Sequence, residues 1–351
     1  MKILVNDIAA STGGAISILQ DLYDDILKND SDNEWCFMLS NEYVQAKNNV
    51  NILLFEKEKK YRIIRTLFDY IYGRIIVNKL KPDVYVTLQN TATLGVKAKQ
   101  IVYLHQTLPF QFEKNFSFFR TKERKSAFYQ HVIGFFIKDT LKRSKTTVFV
   151  QSNWLKATLK KEMNNKIIVV PPKVKPVNND FDYNSRNKTF FYPGTHIIYK
   201  NHEIIFDAVD ELVHRGYKNF KVVLTIDKPQ ELNSNLQIYE FLGNISRENV
   251  IQHYRSSVLI FPSYIESYGL PLKEAQMTKS LIFASNTSFS NEILKTYPNA
   301  YFFSPFQKDE LVNLMQKQID GKIEYNKIDL DEDISEGESL FSSIIDIANK
   351  K

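Results

Sequence analysis

The stretch "SVLIFPSYIESYGLPLKEAQ" (257–276) reads as one complete unit of structure. "VLIFPS" has the continuous apolar character of a strand buried on both faces, and "YIESYG" is the loop leaving its carboxyl end. Pro271 then stands where the first turn of a helix tolerates a missing N–H. A strand of this kind followed by a helix is the unit of a parallel sheet covered by helices, and ligands of such sheets meet the carboxyl ends of the strands. There the sequence places Glu266 before the turn and Glu274 a turn into the helix, with seven residues between them. The amides of Tyr268, Gly269 and Leu270 lie at the helix N-terminus, which attracts anions, phosphate above all. Two carboxylates beside a phosphate repel it unless they face hydroxyl groups, so the set suits a phosphate carried on a polyol, as in a sugar nucleotide. Spacing alone leaves open that Glu266 caps a loop and Glu274 is a surface helix residue.

The same rhythm runs outward in both directions. Upstream, "KILVND" (2–7), "VYVTL" (84–88), "IVYLH" (101–105), "TVFVQS" (147–152) and "IIVVPP" (167–172) alternate with segments of helical period. After the Pro/Asn-rich "PPKVKPVNNDFDYNSRNK" (171–188) it restarts with "TFFYPG" (189–194), "KVVLTI" (221–226), "SVLIFPS", "LIFAS" (281–285) and "AYFFSP" (300–305). The expectation is an α/β chain of two Rossmann-like, doubly wound domains, 1–172 and 173–332, joined by a linker near 173–188. Residues 333–351 would supply a closing helix around "SLFSSIIDIA", packed back on the first domain, after an acidic stretch. No repeat of 20–50 residues is present, which excludes a solenoid.

At 351 residues and 43% hydrophobic, the chain is long enough for two cores. One cysteine, Cys36, forms no internal disulfide and offers no cysteine-based metal site, which points to a reducing, cytoplasmic compartment. Met1-Lys2 runs straight into strand-like sequence, and no apolar run approaches the roughly 18 residues of a membrane span. Residues 1–172 hold 26 Lys/Arg against 16 Asp/Glu, and 173–351 hold 20 against 24, so the front half carries the excess positive charge. It gathers in "KEKKYRIIR" (57–65) and in 114–145, where Phe116, Phe118, Phe119, Phe128, Phe135 and Phe136 interleave with Lys and Arg. Basic residues beside exposed aromatics suit an anionic membrane surface, although a solvated face over an ordinary core stripe reads the same way. Zinc-finger, helix-turn-helix and RNP-like patterns are absent, so nucleic acid is not an expected partner.

Further candidates lie at other strand ends. Gly13 and Gly14 end the loop after the first strand and precede a helix patterned Ile18, Leu19, Leu22, Ile26. A glycine pair there admits close approach of a ligand to the backbone, and equally serves a structural turn. His105 ends the run "VYLH", and Lys200 in "YPGTHIIYKNHE" could neutralise a diphosphate as a point charge. Asp-x-Asp, Gly-x-Ser-x-Gly and P-loop signatures are absent, which weighs against phosphoryl transfer and serine hydrolysis.

Taken together, "FPSYIESYGLPLKEA", the Gly-Gly loop, "LHQTLP", "VQSNW" (150–154), "YPG…KN" (192–201) and "FLGNIS…YRSS" (241–257) resemble family 4 of the retaining glycosyltransferases. The resemblance covers most of the chain. It implies the GT-B fold, two Rossmann-like domains facing across a cleft, with the acceptor on the first and the nucleotide-sugar donor, UDP- or GDP-linked, on the second. In that scheme Glu274 holds the ribose hydroxyls and Glu266 those of the donor sugar, while Ser267, Tyr268, Gly269 and Leu270 meet the diphosphate and sugar. Lys200 stabilises the leaving diphosphate, His105 borders the reacting sugar, and Phe241, Leu242 and Gly243 receive the base. Gly13, Gly14 and Thr195 complete the donor contacts.

Transfer by this family is retaining, of hexosyl type here, and needs no metal or other cofactor. The implied acceptor is a glycan, lipid-linked as in bacterial surface polysaccharide assembly, met at the inner face of the cytoplasmic membrane. Two departures stand out. Thr195 occupies a position where the family often has arginine, for which His196 or Arg255 could substitute, and Lys279-Ser280-Leu281 replaces a Gly-x-Pro. The missing arginine leaves room for a catalytically silent partner subunit or a membrane-surface binding protein as the alternative.

Overall fold

The computed structural model describes residues 1–10, 14–56, 62–175, 188–328 and 338–350. The chain divides into two compact units, Met1–Lys173 with Glu336–Lys351, and Val174–Ser335. Gly13, the segment 57–61 of the first basic patch, most of the 173–188 linker and the 329–337 part of the acidic stretch lie outside the described residues.

Among the described residues the first unit holds seven strands: β1 Lys2–Asp7, β2 Glu34–Leu39, β3 Val50–Leu54, β4 Val84–Thr87, β5 Lys99–Leu104, β6 Thr147–Val150 and β7 Ile167–Val169. All pair in parallel in the order β3-β2-β1-β4-β5-β6-β7. The central strands are apolar along their whole length because helices cover both faces; β4 is buried at every position. One face packs Ile3, Val5, Trp35, Phe37 and Phe149 against Leu19, Leu22 and Ile26 of the helix Gly14–Asn29. The helix Leu340–Asn349 completes that core with Ile344 and Ile347, and Phe341 lies 6.1 Å from the ring of Trp35. The Lys99 ammonium donates to the carbonyls of Ala348 and Lys350 at its end, where the helix dipole is negative.

The second unit holds β8 Thr189–Tyr192, β9 Lys221–Leu224, β10 Tyr239–Phe241, β11 Val258–Phe261, β12 Ile282–Ser285 and β13 Ala300–Phe303. They are again parallel, in the order β10-β9-β8-β11-β12-β13. The opening stretch "VLIFPSYIESYGLPLKEAQ" folds as β11, a loop, and the helix Leu270–Met277, which begins one residue before Pro271.

In each sheet the strand order reverses once, between β1 and β4 in the first and between β8 and β11 in the second. Adjacent loops leave such a switch point in opposite directions and open a crevice beyond the carboxyl ends. Loops 193–201 and 262–269 flank the switch point of the second unit. The Gly14 loop and the β4 loop flank that of the first.

β2, β3 and β10 are strands that the sequence reading does not anticipate. "EWCFML" opens on a charged residue and mixes sulfur with aromatics, β3 is an edge strand, and β10 is three residues long. Two helical runs also contain π segments, Phe68–Tyr72 and Phe128–Ile133, whose wider turns blur a 3.6-residue pattern. Within the second basic patch Phe116 is a core residue, 2% exposed, whereas Phe119 is 93% exposed.

Candidate functional site

β11 pairs with β8, and this pairing brings the 193–201 loop beside the 262–269 loop. Several hydrogen bonds lace the two together. The Tyr264 amide donates to the Tyr199 carbonyl at 3.1 Å, the Ser263 hydroxyl donates to the same carbonyl at 3.3 Å, and the Tyr192 hydroxyl donates to the Lys200 carbonyl at 2.9 Å. Asn201 holds the left-handed conformation at φ 59° and donates its side-chain amide to the carbonyls of Pro262, 3.3 Å, and Pro305, 2.8 Å. Three strand-end loops thereby share one tie, directly after Lys200. Asn201 is a residue sequence reading undervalued; the signal was a residue tolerant of positive φ next to a candidate lysine.

The consequence is an ion pair between the Lys200 ammonium and the Glu266 carboxylate, 66 residues apart in sequence. Both side chains keep a minor share of exposure, 20% and 16%, enough to be reached by a ligand and little enough to hold an undiluted field. The loop-cap reading of Glu266 gives way to a charged pair at a switch point. Thr195 and His196 are exposed in the same loop, and Gly194 lies close over Tyr192: a Cβ at Gly194 would meet that ring at 2.6 Å.

Ser267 and Tyr268 are half-buried and Gly269 buried at the start of the helix Leu270–Met277. Gly269 is its N-cap at φ 95°, a conformation that a side chain resists, so the helix entry itself requires glycine. The helix entry carries no side-chain cap; Pro271 has no N–H and the Leu272 amide donates to the Gly269 carbonyl at 2.9 Å, so the Leu270 amide is the helix's own donor for an anion there.

Glu274, one turn further, is not a free surface residue. Its side chain is 14% exposed, accepts from Arg247 Nε at 3.0 Å and lies 3.5 Å from the Tyr254 hydroxyl. Burial raises the Glu274 carboxyl above the usual range, and Arg247 opposes the rise. Arg247 is the first residue of the helix Arg247–Ser256, capped by Ser246, whose side chain accepts from the Asn249 amide. Sequence reading missed it; the Ser246 cap was the available signal. Phe241 ends β10 and Leu242 and Gly243 follow it, with Gly243 at φ 61° and Leu242 donating to the Leu224 carbonyl at 2.9 Å. No hydrogen bond among the described residues joins these three to the Lys200–Glu266 pair.

In the first unit, Gly14 opens a helix of 16 residues without a positive φ, and a Cβ there would meet nothing within 4 Å. Neither turn geometry nor a crowded neighbour accounts for glycine at this position. His105 is held from the β4 loop. Asn90, at φ 70°, accepts through Oδ1 from the amides of His105, 2.8 Å, and Gln106, 2.9 Å. Two backbone donors fix the amide orientation, so Asn90 Nδ2 donates to His105 Nε2 at 3.2 Å and the ring proton resides on Nδ1. Among the described residues Nδ1 is buried without a hydrogen-bond partner, and burial pushes the ring's pKa down to about 4. His105 is thus neutral at physiological pH. No group of three or more His, Cys, Asp or Glu able to hold a metal occurs among the described residues.

Residues 177–332 match the family described as "Glycosyl transferases group 1". No curated protein matches the chain. Among solved structures, HepE from Anabaena in complex with UDP and glucose is similar at a TM-score of 0.63 and 15% identity, over 99% of this chain and 94% of that one. Sucrose-phosphate synthase from Thermosynechococcus elongatus is similar at 0.62 and 13%, over 90% and 89% of the two chains. WaaG, a glycosyltransferase involved in lipopolysaccharide biosynthesis, is similar at 0.63 and 12%, over 91% and 90%. At these identities the likeness is one of fold, GT-B, and agrees with two parallel α/β sheets.

Proposed function

We propose, from the match of residues 177–332 to the glycosyl transferases group 1 family, that the protein moves a sugar, with retention, from a nucleoside diphosphate to a glycan acceptor. The observation that carries the reading is the Lys200–Glu266 pair beside the uncapped helix entry at Gly269. A cation and a free amide converge where a diphosphate would gain charge as the glycosidic bond breaks, and such preorganised groups are worth most in a partly buried site. On donor binding Lys200 exchanges Glu266 for the diphosphate, which releases Glu266 to accept from a sugar hydroxyl. Neutral His105 borders the reacting sugar, Glu274 accepts from the ribose, and Phe241 to Gly243 flank the base. This loaded pair argues against the silent-partner reading, because nothing structural requires two charges at a strand end.

HepE, similar in fold, has been solved with UDP-glucose, so uridine is the base we favour. Calorimetric titration with UDP, GDP, ADP and CDP tests the donor site without knowledge of the acceptor. Selective binding of one, UDP first, is expected; no binding of any at millimolar concentration would overturn the reading.

We further propose that the acceptor is lipid-linked and met at an anionic bilayer. The helical run Arg62–Leu80 exposes Leu67, Ile71 and Ile75, every fourth residue, at 40%, 54% and 64%. The run Arg124–Arg143 exposes Tyr129 and Phe135, and the two runs meet where Tyr70 packs on Phe136 at 6.0 Å and its hydroxyl donates to Asp139 at 2.7 Å. Arg74, Lys122, Arg124, Lys125, Lys142 and Arg143 are exposed on these two runs or directly before them. Exposed apolar side chains together with cations are the elements of interfacial membrane binding. No helix among the described residues is long and apolar enough to cross a membrane. Binding to phosphatidylglycerol vesicles, and not to phosphatidylcholine alone, is expected. It should fall at least tenfold when Lys122, Arg124 and Lys125 become Glu, since each cation near the surface contributes about 1 kcal/mol. Arg120 is left out of that set because Glu123 holds it at 3.2 Å. Unchanged vesicle binding would remove the proposal.

A further inference from the structure

Beneath the switch point of the first sheet lies a buried polar network that the proposed transfer does not use. Asp69 is 3% exposed, and among the described residues no salt bridge joins it to a cation. Its carboxylate instead accepts from the Thr91 hydroxyl at 2.7 Å, the Thr93 hydroxyl at 3.1 Å and the Gln89 amide at 3.4 Å. Its backbone carbonyl accepts from the Leu94 amide at 2.8 Å. Every one of these donors belongs to the loop that leaves β4.

The proton order follows from the chemistry. Thr93 donates to Asp69, so its oxygen accepts from the Tyr85 hydroxyl, 3.0 Å away, and Tyr85 accepts from Asn6 Nδ2 at 2.7 Å. Asn6 Oδ1 in turn accepts from the Ile8 amide at 3.2 Å, in the loop leaving β1. One carboxylate therefore orients the loops on both sides of the switch point. Between Gln89 and Thr91 stands Asn90, which fixes the backbone and tautomer of His105.

We propose that Asp69 is a positioning residue for His105: by holding the β4 loop through Thr91 and Thr93, its carboxylate fixes the place of the His105 ring and keeps the ring proton on Nδ1. The catalytic meaning of this link rests on the reading that His105 borders the reacting sugar.

The arrangement is sensitive to one proton. A carboxylate can accept from three donors at once, whereas the carboxylic acid must donate, and each neighbour in the loop already faces it as a donor. Burial pushes the Asp69 carboxyl up to about 6, against the pull of Thr91, Arg65, Thr93 and Gln89. The ionisable groups facing it are Arg65 and Tyr70 on its own helical run and Tyr85 on β4; across the neighbouring run Asp139 is taken by Tyr70 and Arg143. Tyr70 and Tyr85 hold their protons far above neutrality, so acidification from pH 7 to 5 titrates Asp69 while His105, near 4, stays neutral.

Ring 15N NMR of the full chain tests the link, with His105→Gln used to assign the signals. His105 Nδ1 and Nε2 are expected to shift with a midpoint near pH 6 in the native protein and to lose that midpoint in Asp69→Asn. In the same variant kcat should fall on the order of 10- to 100-fold, as for a misplaced group, and lose its acid limb, with nucleotide affinity unchanged. If Asp69→Asn does not fold, Thr91→Val serves: loss of one donor to the carboxylate should raise the His105 midpoint above 6. A His105 signal that titrates only near 4 in all proteins would overturn the proposal. The NMR readout needs no sugar transfer, so a coupled His105 in a protein without turnover would reject the transferase reading and keep the positional link.

Discussion

Lys200→Ala is expected to lower kcat on the order of 10²- to 10³-fold, the cost typical of removing one preorganised donor from a developing anion. Glu266→Ala should cost a similar factor, but the two variants are expected to part in their affinity for the product nucleotide. The Lys200 ammonium is neutralised by Glu266. A diphosphate must displace that carboxylate, and electrostatic repulsion from Glu266 opposes it. Removal of Glu266 therefore frees the cation, so Glu266→Ala should bind UDP as tightly as the parent or several-fold more tightly, while Lys200→Ala binds it at least tenfold more weakly. Both should stay folded, since each side chain reaches solvent and neither fills a core. Steady-state turnover beside calorimetry reads both effects. Near-normal turnover in both variants would remove the pair from the chemistry. Equal weakening of UDP by both would show that Glu266 serves only to place Lys200.

What could be read from the sequence depended on how far apart the cooperating residues lie along it. The ten apolar runs bounded by turns lead to two doubly wound α/β sheets, and the likeness to GT-B structures agrees with that reading. Strands at an edge or of three residues gave no pattern to read, as β3 and β10 illustrate. Within the site, Glu266 to Glu274 share one strand-loop-helix unit, so their placement follows from local rules alone. The contact of Lys200 with Glu266 needs β8 to lie beside β11, which no local pattern specifies. The same limit hid Asn201, whose ties reach Pro262 and Pro305, and Asp69, whose donors lie more than 20 residues on, apart from Gln89 at 20. A buried acid in "LFDYIY" resembles a surface residue until the β4 loop closes over it.

Glu274 carries the other large expected effect. In the proposed donor site it accepts from two ribose hydroxyls, and hydrogen bonds to a charged acceptor are worth about 1.5–3 kcal/mol. Glu274→Ala should therefore weaken nucleoside diphosphate binding by about 10- to 100-fold, at 1.4 kcal/mol for each factor of ten. Arg247 makes this test sharper. Burial raises the Glu274 carboxyl and Arg247 holds it down, so Arg247→Ala should raise it further. Only the ionised form accepts from both hydroxyls. Nucleotide affinity in Arg247→Ala should then fall as the pH drops from 8 toward 5, at a higher pH than in the parent. In Glu274→Ala affinity should no longer follow this group at all. A purely structural Arg247–Glu274 pair predicts the reverse pattern: both variants lower the melting temperature and neither changes the affinity of the folded protein at any pH. Calorimetric titrations of UDP at three pH values, with thermal melts of the same samples, separate the two. The outcome also bears on Lys200, because a ribose anchored at Glu274 is what brings the diphosphate to the helix entry at Gly269 and within reach of that cation.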